Sequence, residues 1–400
     1  MSPSRRKLLL VAAFFPPAGG VGTFRAVKFA KYLPRFGVDV DVLAMREEVY
    51  RQRLWQIDEE LLSQVPPTTQ IYRTPIARIP GLRDVGLLWT IRLPVDLHRV
   101  LRVARPDVLM FTGDPFFPMV LAPFLHWIFG FRYILDFRDP WSLAEHDTPR
   151  RLKLRLADAV ARLGEWFALR WCDAAVVVSE PMREAFEERY PWVRDRLVTI
   201  PNGFDPQDYE EASRDSRADG ALLYAGKFRT GEMYRNPDNL FVALAKLRRE
   251  GLCLPFVHVG RAEENVIAAA ASAGLPLEDM KWMGPLPLRA TIALIKGARI
   301  GVVIGGGQRS EQTTKVFDYM ACGVPILAIV NPESSAAAVL RSYPLAVTVS
   351  NNPEEIARGI RQLLGLTPAT HYPRPSEYSR ISQAARLGEL IMSPRLRDRR

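Results

Sequence analysis

Residues 311–328 read EQTTKVFDYMACGVPILA, and within them Lys315 and Asp318 stand three apart on a short amphipathic segment. Ahead of it an apolar run, Ile300–Ile304, leads into Gly305-Gly306-Gly307. A helix entered from a glycine-rich turn offers free backbone amides and partial positive charge, a ready anion site, and Lys315 adds a full charge. Thr313, with Thr314 next to it, is expected to cap the first turn. Asp318 falls one turn on, on the face of Lys315, where a carboxylate accepts from the two hydroxyls of a ribose. Gly323 then takes the left-handed cap and Pro325 opens a new strand. The plain alternative is a solvated Lys–Asp pair worth a few tenths of a kcal/mol. The glycine-rich entry and the two-domain setting favour the site.

A second group of polar residues lies in the first half. Asp114 follows Phe111-Thr112-Gly113, and Asp136-Phe137-Arg138-Asp139-Pro140-Trp141 follows another apolar run. Carboxylates accept from sugar hydroxyls and a tryptophan stacks on a sugar face, so Asp136, Arg138, Asp139 and Trp141 are candidates for holding an acceptor, with His146 nearby. Asp114, Asp139 and Lys315 are the candidates for the chemistry itself. Gly19-Gly20-Val21-Gly22 opens the first helix, but its spacing is a poor dinucleotide fingerprint. The histidines have no metal-ligand spacing; His98 and His126 fall in helical segments and read as structural. Glu165, on a long arginine-bearing helix, reads as a packing or salt-bridge residue as readily as a chemical one.

These residues need elements to carry them. Short apolar strands alternate with amphipathic helices throughout, and many strands are continuous Val/Ile/Leu/Ala runs, as parallel strands covered on both faces require. Expected strands are Leu8–Phe14, Val38–Leu43, Val108–Thr112, Tyr133–Phe137, Ala174–Ser179 and Leu197–Ile200 in a first series. A second series holds Ala221–Ala225, Phe256–Val259, Lys281–Met283, Ile300–Ile304, Ile326–Val330 and Ala346–Val349. The polar stretch PQDYEEASRDSRADG between them reads as a linker. The expectation is an α/β protein of two Rossmann-like domains, 1–205 and 206–375, with a C-terminal helix and tail over 376–400.

Composition narrows the class. With 400 residues, 48% of them hydrophobic and 24% charged, the chain is globular and long enough for two cores. A net charge of +10 suits phosphorylated substrates or an anionic lipid surface. No zinc-finger or RNA-binding signature supports a nucleic-acid partner. Three scattered cysteines fit a reducing compartment, so a cytoplasmic location is expected, with association with the inner face of the membrane left open. The N-terminal run Leu8–Phe15 reads as a buried first strand rather than a secretion signal. Phe116–Phe131 is short for a span and reads as a buried helix or an interfacial segment. The RRLKLRLADAVARLGEWFALRW helix reads as ordinary amphipathic packing or, second, as a membrane-surface contact.

KVFDYMACGVPILA resembles the nucleotide-sugar-binding helix of GT-B glycosyltransferases of the retaining family 4 type. FFPPAGGVGTFRAVKFAKYLPRFGVDVDVLA is similar to their N-terminal strand, glycine loop and helix, and DAAVVVSEPMREAF with LVTIPNGFD to their last N-domain unit. LLYAGKFRTGEMYRNPDNLFVALAKL and FVHVGRAEE resemble the first two C-domain units, so the likeness covers most of the chain. It implies two facing domains, an acceptor-binding N-domain, a donor-binding C-domain, and a C-terminal helix crossing back to the N-domain. The active site would lie in the cleft, closing about Pro201–Gly220. It implies that Asp318 takes the place of a ribose-binding glutamate. Glu311 stands beside the family's donor-sugar position, which is Ser310 here. Lys227, Arg229 and Arg235 would hold the donor pyrophosphate, with Gly20, Gly260, Arg261 and Gly284 around it. Fixed cations stabilise a leaving nucleoside diphosphate, so no permanently bound cofactor and no metal is expected. The donor would be a UDP-, GDP- or other nucleotide-sugar, and the acceptor a glycan, lipid-linked saccharide or cell-envelope precursor. A nucleotide-sugar epimerase of the same fold and a non-catalytic nucleotide-sugar-binding protein are the alternatives.

Overall fold

The computed structural model describes residues 5–53, 57–142, 152–228, 236–305, 309, 312–366 and 375–393. The chain forms two compact units, Met1–Asn202 with Arg380–Arg400, and Gly203–Ser379.

The first unit is built on seven strands: β1 (Arg6–Ala12), β2 (Val38–Met45), β3 (Ile71–Thr74), β4 (Val108–Thr112), β5 (Arg132–Phe137), β6 (Ala174–Val177) and β7 (Leu197–Thr199). They form one parallel sheet in the order β3-β2-β1-β4-β5-β6-β7. Leu9 and Val11 of β1 enter a core on one face, and Leu8, Leu10 and Ala12 enter a core on the other. That two-sided burial is why β1 is apolar without alternation.

The second unit has β8 (Leu222–Ala225), β9 (Phe256–Val259), β10 (Met280–Trp282), β11 (Ile300–Ile304), β12 (Ile326–Ile329) and β13 (Ala346–Val349), parallel and ordered β10-β9-β8-β11-β12-β13. Each sheet also has a core on both faces here. Both are doubly wound: strands run outward one way from β1 or β8, and the other way from β4 or β11. The protein is thus two Rossmann-like domains. The Arg380–Met392 helix belongs to the first unit and packs on the Val21–Tyr32 helix, with Gly388 so close to Phe36 that an added Cβ would lie 2.8 Å from Phe36 Cβ.

Two features differ from the sequence expectation. Strand β3 and the twenty-residue Val85–Ala104 helix are not among the expected elements. β3 is only four residues long, and Pro94 interrupts the helix pattern. The expected linker is not a bare connection. Its Pro206–Glu211 part is a helix capped by Asp205, and Tyr209, Ala212 and Ala218 are buried in the second unit's core. A few small or aromatic side chains at the right spacing suffice to fix a segment that is polar on average.

Candidate active site

In an open parallel sheet, ligands settle beyond the carboxyl ends of the strands where the order reverses, here between β8 and β11. These strands pair only at Leu222 with Ile300 and Leu223 with Gly301, and then part. The Tyr319 hydroxyl fills the seam, accepting from the Ala225 amide and donating to the Leu223 carbonyl, each at 3.1 Å. Its ring lies on Gly301, where an added Cβ would come within 2.6 Å of it. The Lys315–Cys322 helix that carries Tyr319 also brings Lys315 to the end of β8. The ammonium lies 5.2 Å from the Tyr224 ring centroid, and a Cβ on Gly226 would sit 2.6 Å from it.

Gly226 and Gly260 both hold φ near 149°, a conformation open to glycine, and press together. A Cβ on Gly260 would be 2.3 Å from the Gly226 carbonyl oxygen. Their amides are occupied: Gly226 donates to Val259 O at 2.7 Å and Gly260 to Gly284 O at 2.9 Å. These glycines therefore serve by leaving room rather than by donating to an anion. Beneath them His258 is fully buried, its Nε2 2.8 Å from Gly226 O. A carbonyl only accepts, so Nε2 carries the proton and Nδ1 is left as a lone pair, without a partner among the described residues. The ring stacks on Phe228 at 4.8 Å. Burial, reinforced by the charge of Lys315, holds the His258 pKa below its ordinary value, against the hydrogen bond to Gly226.

Lys227 pairs with Glu263 at 3.2 Å on the exposed side of the same loops. Arg261 is exposed beside them. Asp318, half-buried, accepts a hydrogen bond from the Tyr209 hydroxyl. Burial pushes the Tyr209 phenol well above its ordinary pKa, and the Asp318 charge adds to this. Thr313 is not the cap: the helix begins at Lys315 with Thr314 at the cap position. Thr314 already has helical torsions (φ −68°, ψ −21°), so its hydroxyl makes no capping bond. Arg229, Arg235, Ser310, Glu311 and His146 lie outside the described residues.

In the first unit the corresponding reversal lies between β1 and β4. Gly20, with φ 87°, starts the Val21–Tyr32 helix there. The Arg138 guanidinium donates to the carbonyls of Gly22 and Gly113, and at 3.3 Å to that of Asp114, joining the loops after β1 and β4. Arg138 thus fixes loops, in place of the expected direct hold on an acceptor. Asp136 is likewise corrected: it is fully buried, ion-paired with Arg25 at 3.0 Å and accepting from Thr112 at 2.8 Å. Arg25 also donates to Ile200 O and Pro201 O at 3.0 and 2.9 Å. Trp141 is half-buried and engaged in packing rather than standing free beside a sugar site. It stacks on Phe116 with centroids 5.6 Å apart, and it fits against Gly164, where a Cβ would be 2.9 Å from the indole.

Asp114 and Asp139 remain exposed at the rim. Although Asp114 keeps a solvent-facing side, desolvation by the loops around it raises its pKa; Arg138 opposes this, and Asp139 and Asp84 add to it. Glu165 anchors this region from below. It is fully buried and accepts from Ser142 N at 3.0 Å, Ser142 Oγ at 2.6 Å and the Tyr190 hydroxyl at 3.0 Å. Burial raises its pKa against these hydrogen bonds. Sequence reasoning passed over Arg25, Tyr209, His258 and Tyr319. The one signal was a charged or polar residue inside an otherwise apolar stretch, as His258 is in FVHV.

Two sheets wound this way, each with its polar groups at the strand ends of the reversal, define the GT-B class of two-domain sugar-transfer folds. Comparison with known proteins agrees. The profile described as Glycosyltransferase Family 4 matches residues 18–208, and that described as Glycosyl transferases group 1 matches residues 220–365. The chain belongs to the family 4 glycosyltransferases, enzymes that transfer a sugar from a nucleotide-sugar donor. Among solved structures it is similar to a glycosyltransferase from Rickettsia africae ESF-5, with 14% identity over 99% of this chain and 100% of that one and a TM-score of 0.65. It is also similar to sucrose-phosphate synthase from Thermosynechococcus elongatus (14% identity, 98% and 94% covered, TM-score 0.62). A third is UDP-GlcNAc 2-epimerase from Neisseria meningitidis bound to UDP-GlcNAc (15%, 96% and 99%, TM-score 0.57). At such identities these structures bear on the fold alone. No curated protein matches the chain in sequence.

Proposed function

We propose that the second unit binds the donor through the loops after β8, β9 and β11, and that the first unit presents an acceptor hydroxyl at the loops after β1, β4 and β5. Lys315, with Lys227 on the same side, meets the charge that develops on the departing nucleoside diphosphate, the role a metal ion would otherwise fill. Arg229 and Arg235, which follow β8 in the sequence, are assigned to the same charge, and Glu311 to the donor sugar. Asp318, steadied by Tyr209, accepts from the ribose. Asp114 and Asp139, the exposed carboxylates of the first unit, line the acceptor side and are the candidates for moving the acceptor proton. Transfer proceeds with retention at the anomeric carbon, as the family resemblance implies. The acceptor is a glycan or lipid-linked saccharide met at the cytoplasmic side of a membrane.

The observation that carries this reading is the position of Lys315, against Gly226 at the reversal of the second sheet. A lysine on a solvated helix face would have no reason to lie over the end of β8. Product analysis with a panel of nucleotide-sugars and added acceptors tests it. Transfer to an acceptor supports the reading, whereas free epimerised nucleotide-sugar, or binding without turnover, overturns it. Lys315→Ala removes a charge-assisted contact and is expected to weaken donor binding roughly 10- to 100-fold. Unchanged affinity in both Lys315→Ala and Asp318→Ala would refute the donor-site assignment.

A further inference from the structure

We infer that the outer face of the Ala122–Phe129 and Leu152–Arg170 helices in the first unit is a docking surface for an anionic lipid bilayer. Large apolar side chains on this face are turned to solvent. Phe124, Trp127 and Ile128 are exposed on the shorter helix, and Leu156, Val160 and Leu163 on the longer one. Ile128, Leu156 and Leu163 are 69%, 67% and 66% exposed. The spacing Leu156, Val160, Leu163 is that of one helix stripe. The opposite side of the same helix, with Glu165, Ala168 and Leu169, is the buried one. A surface helix normally turns polar residues outward, so a second apolar stripe facing water calls for an occupant.

The two helices form one surface. Phe167 packs on Phe124 and Trp127 with centroids 5.2 and 5.6 Å away, and Trp127 meets Trp171 edge-on at 4.5 Å. Phe129 continues it to His98 on the Val85–Ala104 helix at 6.4 Å. Neither helix nor any other described helix is long and apolar enough to cross a membrane, so the face lies on a bilayer rather than in it.

Charge selects the occupant. Arg99 and Arg102 on the neighbouring helix, and Arg162 and Arg170 on the long one, are exposed and make no ion pair with a described residue. Of the acids close by, Glu165 points into the core, Asp96 is paired with Arg92 at 3.0 Å, and Asp158 on the long helix is half-buried and already engaged. Apolar side chains including tryptophans, flanked by arginines that can extend to headgroups, match the boundary of an anionic bilayer. The inference gives the lipid-linked acceptor of the proposed function a surface on which to be met, and it rests on that reading only for its purpose.

The test is sedimentation of the full chain with vesicles of phosphatidylglycerol and phosphatidylcholine in equal parts. Wild type is expected to sediment with them at low salt, less so as salt rises, and less with pure phosphatidylcholine. Ile128→Asp with Leu163→Asp should cut binding by about tenfold or more without changing thermal unfolding, since both side chains face solvent. Replacing Arg99 and Arg162 by glutamine should weaken it roughly fivefold for each charge. The inference is overturned if wild type stays in the supernatant at low salt, or if the aspartate variant sediments as well as wild type. It is overturned too if the chain is a dimer that the aspartate substitutions dissociate, for then a second copy is the occupant. Calorimetry of nucleotide-sugar binding on the same samples separates the two readings. Donor binding with no vesicle binding refutes the docking surface alone, whereas vesicle binding with no donor binding refutes the function alone.

Discussion

Tyr319→Phe isolates one hydroxyl and asks whether it holds the seam on which the donor loops stand. The ring, its packing on Gly301 and the helix are all kept; only the two 3.1 Å hydrogen bonds to Leu223 O and Ala225 N are lost. Each bond is worth about 1 kcal/mol net, and a buried group left unsatisfied costs about 1–3 kcal/mol. Leu223 is fully buried, but its carbonyl also stands in the ladder with β11, where Leu223 pairs with Gly301, and Ala225 is partly exposed, so its amide can regain water. The expected cost is therefore about 1–2 kcal/mol, falling on β8 next to Gly226. Hydrogen exchange read by mass spectrometry reports this strand directly. Under conditions where exchange follows the opening equilibrium, β8 amides should exchange roughly 5- to 30-fold faster, with β1 and β4 of the first unit unchanged. A change in β8 below about threefold would mean that the strands do not depend on Tyr319, and the account of the seam would be wrong.

Gly260→Ala forces a Cβ to within 2.3 Å of the Gly226 carbonyl at a backbone conformation that suits glycine. It should cost about 2 kcal/mol or more, seen as a fall of roughly 4–8 °C in the melting temperature of the second unit. Arg25→Ala strands the fully buried Asp136 carboxylate, with an expected loss of about 3–5 kcal/mol in urea unfolding of the first unit; a loss below about 1 kcal/mol would contradict the ion pair's role. His258 has its folded pKa below the unfolded value, so the unfolded chain binds the extra proton as pH falls. Its stabilising contribution is whole above about pH 6.5 and is lost as pH drops toward the folded pKa. Urea midpoints measured across that range should fall for wild type and fall less for His258→Gln, which keeps a donor for Gly226 without titrating.

Sequence alone determined the two series of parallel strands, because burial on both faces leaves strand runs such as LLLV and IGVVI with no polar alternation. It also determined that Lys315 lies in the first turn of a helix just past a strand, since glycine-rich entry, helix periodicity and the Gly323 stop are all local signals. The exact start, at Lys315 rather than after Thr313, it did not determine. The short β3 and the proline-bearing Val85–Ala104 helix were not legible, because pairing and packing hold them rather than their own pattern. The roles of Asp136, Arg138 and Trp141 were decided only by tertiary structure. Residue type told that each could bind a sugar or an acid, but whether a side chain is free to do so depends on what lies against it. Here the carboxylate is taken by Arg25, the guanidinium by loop carbonyls, and the indole by Phe116 and Gly164. These partners are distant in the chain, and only folding brings them within reach. The same holds for Tyr209 on Asp318, 109 residues apart, and for Tyr319 in the seam of β8 and β11.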